Sequence, residues 1–353
     1  MGMPRQKLIS WIVPDRGRWQ WLWRLLGHED WVPDHALASV WIRSYQIAPY
    51  LRQMGYRVQC NSLNPLPDVA IFLRRYGQQD VILAQRLKAM GVQIIVDVVA
   101  NYFSPRDQSR LGVGGASERQ VENFCKLVDL ADQVWTVSPF LKETAIQYNP
   151  QAYFVSDSVD PRHFDINYQI RDNRCRNSQE SSYIIGWSGV SAKAFHLNEI
   201  SSILKTLINS ESVQILIISD KPPKLNFAFH FRRWTHSMFP RYIAECDLCI
   251  APRKVDNDYT RGHSIFKIGV FMAMGVPVLA GPVPSYDLLL DDEKAGAICE
   301  SLDEWKYHIL NYIDNSFIRD VWKKNARKKM SSYLTPKIAE KIDSLLRTLL
   351  KES

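Results

Sequence analysis

Between Arg253 and Lys267 the chain gathers groups suited to phosphate: Arg253, Lys254, Arg261, Ser264 and Lys267. They occupy a loop and the first helical turns that follow an apolar strand, LCIAP. Lysine and arginine make charge-assisted hydrogen bonds to phosphate oxygens, and a helix N-terminus adds backbone N–H groups. The set suits a diphosphate. Surface cations are also common, and Arg253 and Arg261 read equally well as such. A second set, Gly189, Ser191 and Lys193, follows the strand YIIGWS. A glycine there lets the backbone come close to a ligand and Lys193 can supply charge; an ordinary strand-to-helix turn explains the same residues. In the first half, Asp97 and Asn101 lie near the carboxyl end of the apolar strand VQIIVDVV. Asp97 could serve as a general base, or be a hydrogen-bonded structural aspartate.

The elements that position these residues alternate between strand and helix. Strands are predicted at Leu8–Val13, Arg57–Leu63, Val69–Leu73, Val92–Val99, Val134–Val137 and Ala152–Val155, with helices at Trp41–Met54, Asp80–Met90, Glu118–Leu130 and Pro139–Tyr148. Gly55 and Gly91 are natural helix ends, and Ser138 reads as an N-cap. Residues 166–182 are polar, lack apolar periodicity and read as a linker. The pattern then restarts, with strands at Tyr183–Trp187, Val213–Ser219, Leu248–Ala251 and Val276–Ala280. The helices between and after them are Leu197–Ile208, Met238–Glu245, Phe266–Met274, Leu302–Ile313 and Ile318–Tyr333. Alternating strands and helices give parallel sheets covered on both faces, with sites beyond the carboxyl ends of the strands. The expected architecture is α/β, with two Rossmann-like domains at 1–165 and 183–330 facing a central cleft, and a basic C-terminal helix at 331–353.

The segment KIGVFMAMGVPVLAGPVPSY, Lys267 to Tyr286, resembles the donor-domain helix and strand of glycosyltransferases of the GT-B fold. The similar group is the glycogen-synthase-like and lipopolysaccharide-type one (glycosyltransferase family 4-like). Lys267, Met272, Ala273, Gly275, Pro277, Val278 and Ala280 carry the match. CDLCIAP, YIIGWSG and FVSDSVDPRHF resemble further family segments. The resemblance implies sugar transfer from a nucleotide-diphosphate sugar, such as a UDP-sugar, to a saccharide or lipid-linked acceptor. It implies retention of configuration, no cofactor and no bound metal. It makes Gly189, Ser191, Lys193, Arg253, Arg261, Ser264 and Lys267 donor-binding residues, with Asp97, Asn101 and Arg43 as catalytic candidates. Arg43 enters because SVWIRSYQIAPYLRQMGYRV resembles the family's first helix; a salt-bridged surface arginine is the alternative. One departure matters. Many such enzymes carry two glutamates eight residues apart that touch sugar and ribose, and here Gly262 and Val270 stand at those positions.

Composition narrows the rest. The 353 residues suit two domains, and 46% apolar with 23% charged residues is ordinary for a globular chain. The net charge of +7 fits anionic partners. Residues 319–353 carry 10 Lys and Arg against 4 Asp and Glu, which reads as a solvated helix face; nucleic acid is not expected as a partner. The six scattered cysteines suit core thiols, Cys246 and Cys249 included, since no second pair completes a zinc site. Asp256 and Asp258 in DND lie in a loop and read as solvated. No signal peptide or ~20-residue apolar span is visible, so a cytoplasmic protein is expected. The segment from Arg16 to Trp31 interleaves Trp19, Trp21, Trp23 and Trp31 with arginines. It fits a packed helix, an acceptor surface or peripheral membrane contact. The sequence leaves open an active transferase, a non-catalytic scaffold or partner subunit of the same fold, and a sugar transferase acting on nucleic acid.

Overall fold

The structure is a computed structural model, and it describes residues 5–14, 38–105, 116–164, 182–210, 213–292 and 294–351. The tryptophan-rich segment and, apart from Ser182, the expected linker lie outside the described residues. The chain divides into two compact units, Met1–Ser158 with Thr335–Ser353, and Val159–Leu334.

The first unit holds a six-stranded parallel sheet of β1 (Leu8–Ile12), β2 (Arg57–Cys60), β3 (Val69–Leu73), β4 (Gln93–Val98), β5 (Gln133–Thr136) and β6 (Ala152–Phe154). Their order is β2-β1-β3-β4-β5-β6. β1 and β3 are buried along their whole length, which is why LISWI and VAIFL are unbroken apolar runs: helices cover both faces. Those helices are α1 (Ala48–Gln53), α2 (Gln78–Ala89), α3 (Glu118–Leu130) and α4 (Pro139–Ile146). Ser138 caps α4, its Oγ accepting from the Leu141 N–H, with Pro139 fixing the first turn. The helix expected over Trp41–Met54 is divided: Trp41–Tyr45 is a π-helical turn, and α1 follows it.

The second unit holds β7 (Tyr183–Ser188), β8 (Val213–Ser219), β9 (His230–Arg233), β10 (Leu248–Ala251), β11 (Val278–Ala280) and β12 (Gly296–Ile298), all parallel. Around them lie α5 (Ser201–Asn209), α6 (Phe239–Ala244), α7 (Asp258–Arg261), α8 (Phe266–Ala273), α9 (Asp287–Leu290), α10 (Leu302–Asp314) and α11 (Ser316–Met330). The sheet order is β12-β11-β10-β7-β8-β9. Strand order therefore reverses between β7 and β10, and a doubly wound sheet offers its ligand crevice at the carboxyl ends of the strands at such a reversal. Gly186 is what lets this unit close behind β7, because a Cβ there would strike Cys246 Sγ.

The last helix, α12 (Thr335–Lys351), belongs to the first unit. It buries Ile338, Ala339, Ile342, Leu346 and Leu349 in the same core as Ile9, Trp11 and Leu51. Gln46 Nε2 fixes its start, lying 2.8 Å from Ser158 O and 2.9 Å from Thr335 Oγ1. The unit boundaries thus fall at Ser158 and Thr335 rather than at 165 and 331. Most of the lysine-rich run sits in α11, where Lys329 bridges to Asp291 and Asp292 and Arg327 donates to Met274 O. No described helix is long and apolar enough to cross a membrane.

Candidate functional site

Lys267 stands in the first turn of α8, a helix whose other residues from Ile268 to Ala273 are all buried. Gly269 lets this helix lie against Met330 of α11, whose Cε would be 3.1 Å from an added Cβ. A helix enclosed on every side offers only its N-terminus, and there Ser264 Oγ accepts from the Phe266 N–H at 3.4 Å. The Lys267 side chain is half-buried. Its Nζ sits 4.5 Å from the ring centre of Trp187, a fully buried residue near the end of β7, in cation–π contact. Burial, then the positive charge of Arg253, draws the ammonium down to about 7; Lys193 adds to this, and Cys249 opposes it. No carboxylate is among these influences.

Arg253 follows β10 and is itself buried. Its Nη1 lies 2.6 Å from His263 Nε2. Gly281, after β11, brings its backbone against that of Arg253, leaving no room for a Cβ between them. Lys193 follows β7 and acts electrostatically on both Lys267 and His263. Three cations from three segments, beyond the carboxyl ends of β7 and β10, thus share one place at the strand reversal. Like charges disfavour one another, so the arrangement is suited to an anion.

The other expected residues fare differently. Gly189 has φ +156°, and an added Cβ would touch the Trp187 ring at 3.0 Å, so it belongs with the Trp187 platform. Ser191 is already engaged: its N–H donates to Asp220 Oδ1 at 2.6 Å and its hydroxyl to Oδ2 at 3.2 Å. Arg261 is exposed and pairs with Asp258 at 3.5 Å across one turn of α7. Asp256 accepts from the Asn257 side chain at 2.8 Å and is exposed. Cys246 and Cys249 are buried, and burial pushes both thiols up. Among the described residues no three His, Cys, Asp or Glu side chains gather as a metal site requires.

The first-unit candidates are engaged within their own unit. Arg43 and Asp97 face each other inside the unit, 1% and 2% exposed. Arg43 Nε and Nη2 donate to the two Asp97 oxygens, each at 2.9 Å. Nη1 donates to Val155 O at 2.8 Å and Ser156 O at 2.9 Å. A guanidinium enclosed in this way, with four of its five N–H groups engaged, is closed to a phosphate, and a carboxylate held on both oxygens is a poor base. Burial opposes the charge on Arg43, but Asp97 and Asp157 outweigh it and raise its basicity. Burial likewise pushes Asp97 up against the pull of Arg43. The guanidinium keeps its proton in any protein environment, and its two-pronged contact with Asp97 braces the unit. Asn101 is also buried, and its Oδ1 accepts from the Phe103 N–H at 2.9 Å, closing a turn.

No family model and no curated protein matches the sequence. Solved structures do. Sucrose-phosphate synthase from Thermosynechococcus elongatus superposes with a TM-score of 0.70 at 13% identity, covering 99% of this chain and 100% of that one. A glycosyltransferase from Rickettsia africae gives a TM-score of 0.68 at 13% identity, with 99% and 100% covered. Anabaena HepE in complex with UDP and glucose gives 0.64 at 13% identity, with 97% and 100% covered.

Proposed function

From the premise that this chain has the GT-B fold, we propose that it transfers a sugar from a nucleotide-diphosphate sugar to a saccharide or lipid-linked acceptor. The observation that carries this reading is the trio of Lys193, Arg253 and Lys267, with no carboxylate among the charges acting on Lys267. A UDP-sugar is the donor class we favour, because HepE was solved with UDP and with UDP-glucose. As the bond between the sugar's anomeric carbon and the diphosphate oxygen breaks, its electron pair passes to that oxygen. Cations fixed in a partly buried site stabilise this growing charge, and each donor of this kind contributes roughly 10²–10³ in rate. The trio thereby does the work a bound metal would do. Retention of configuration follows from the resemblance of Lys267–Tyr286 to the retaining group. A cytoplasmic location, with peripheral membrane contact through the tryptophan-rich segment, fits the same reading.

A second reading, a non-catalytic GT-B scaffold, rests on Gly262 and Val270. The first is a buried glycine and the second a core valine, 1% exposed, so neither can hold a ribose or sugar hydroxyl. Release of nucleoside diphosphate from a panel of nucleotide sugars separates the two. The transferase reading expects release from one donor, slowed about a hundredfold or more in Lys267→Met. Nucleotide binding without release from any donor would favour the scaffold.

A further inference from the structure

The structure assigns to His263 the task of orienting Arg253 toward the anion without cancelling its charge; His263 is a positioning residue of the cation cluster. The inference rests on the diphosphate reading of that cluster.

A buried guanidinium needs a partner to hold its plane, and buried Arg43 uses a carboxylate, that of Asp97. The half-exposed Arg162 is likewise held by Asp160. A carboxylate fixes the guanidinium but also neutralises its field, which suits a brace and defeats an anion site. Arg253 is held by an imidazole instead. His263 Nδ1 lies 2.8 Å from the Tyr259 carbonyl oxygen, which can only accept, so Nδ1 carries the hydrogen. Nε2 then presents its lone pair, and Arg253 Nη1 donates to it at 2.6 Å. The tautomer is set by the backbone, and the imidazole in this state is neutral.

The ring is gripped from several sides. Tyr259 meets it edge-on, with centroids 5.0 Å apart and planes at 89°. Its own backbone carbonyl accepts from Ser285 Oγ at 2.6 Å, and Ser285 is fully buried. Tyr259 lies in α7, which Asn257 caps through the Thr260 N–H at 2.9 Å. The charged groups facing His263 are Arg253, Lys193 and Lys267, all cationic. Burial first, and these cations next, hold the imidazole well below its ordinary value, against the smaller pull of the Tyr259 carbonyl. His263 therefore stays an acceptor wherever the protein is folded at ordinary pH.

The test compares three substitutions by calorimetric titration of UDP and of inorganic pyrophosphate, with thermal unfolding as the check on fold. His263→Gln keeps a neutral acceptor and is expected to bind within about threefold of the parent. His263→Leu removes the acceptor and is expected to weaken binding by about tenfold. His263→Glu keeps the acceptor but adds the cancelling charge, and is expected to weaken binding by about a hundredfold. A folded Leu variant that binds like the parent, or a Glu variant that binds like Gln, overturns the assignment while leaving the diphosphate site intact. If the Leu variant does not fold, the Glu-against-Gln comparison decides alone. Failure of the parent itself to bind either probe overturns the diphosphate reading and takes the role of His263 with it.

Discussion

A lysine enclosed by an indole face, a thiol and two other cations holds its proton less firmly than one in water, and Lys267 is drawn to about 7 for that reason. An anion entering the site favours the charged form. Nucleotide affinity should therefore fall as pH rises through 7 toward 9, and binding near pH 7.5 should take up a fraction of a proton. Calorimetry in two buffers of different ionisation heat measures the uptake; Lys267→Arg, which does not titrate there, should bind without it. Lys267 was legible in the sequence because it opens a helix whose apolar run and glycine stop are recognisable. His263 and Trp187 were not. A histidine just past a short helix and a tryptophan inside a strand have no periodicity that marks them, and their value comes from Arg253 and Lys267 meeting them across the fold. The engagement of Ser191 by Asp220 could not be read from the sequence either, because Asp220 lies on the next strand's loop.

At the scale of elements, Arg43 and Asp97 show how two chemically suggestive residues can become structure. Each lies where a site residue would, on a helical entry and at a strand end. Only the pairing of the Trp41–Tyr45 turn with β4 reveals that they face one another. Asp97→Ala leaves a buried guanidinium without its counter-ion and should cost about 3–5 kcal/mol in chemical denaturation, with the cluster of the second unit still binding nucleotide. Replacing both partners with apolar residues, Arg43→Met with Asp97→Leu, should recover part of that loss. The strand pattern was readable wherever strands are buried on both faces, as in β1, β3 and β8. It failed at β9, an edge strand of sequence HFRR with mostly exposed side chains, and at β12, which has three residues. The π-helical turn was also hidden, since one irregular turn leaves the spacing of Ile42, Tyr45 and Leu51 helix-like.

At the scale of the whole molecule, the chain leaves its first unit at Ser158 and returns to it at Thr335, so that unit is completed only by the last helix. The sequence marked a basic C-terminal helix but could not say which core takes its apolar side chains; five of its buried residues belong to the core of β1 and α1. A chain ending at Leu334 should lose hydrogen-exchange protection throughout the first sheet while β7, β8 and β10 remain protected. Full protection of the first sheet in that truncation would contradict the discontinuous unit.

The most direct measurement is calorimetric titration of UDP, ADP and GDP into the intact protein and into Lys267→Met, with a metal chelator present. One nucleotide is expected to bind with one-to-one stoichiometry, and to bind at least about tenfold more weakly to the folded variant. Absence of binding by all three, or equal affinity in the folded variant, would contradict a diphosphate site built on Lys193, Arg253 and Lys267.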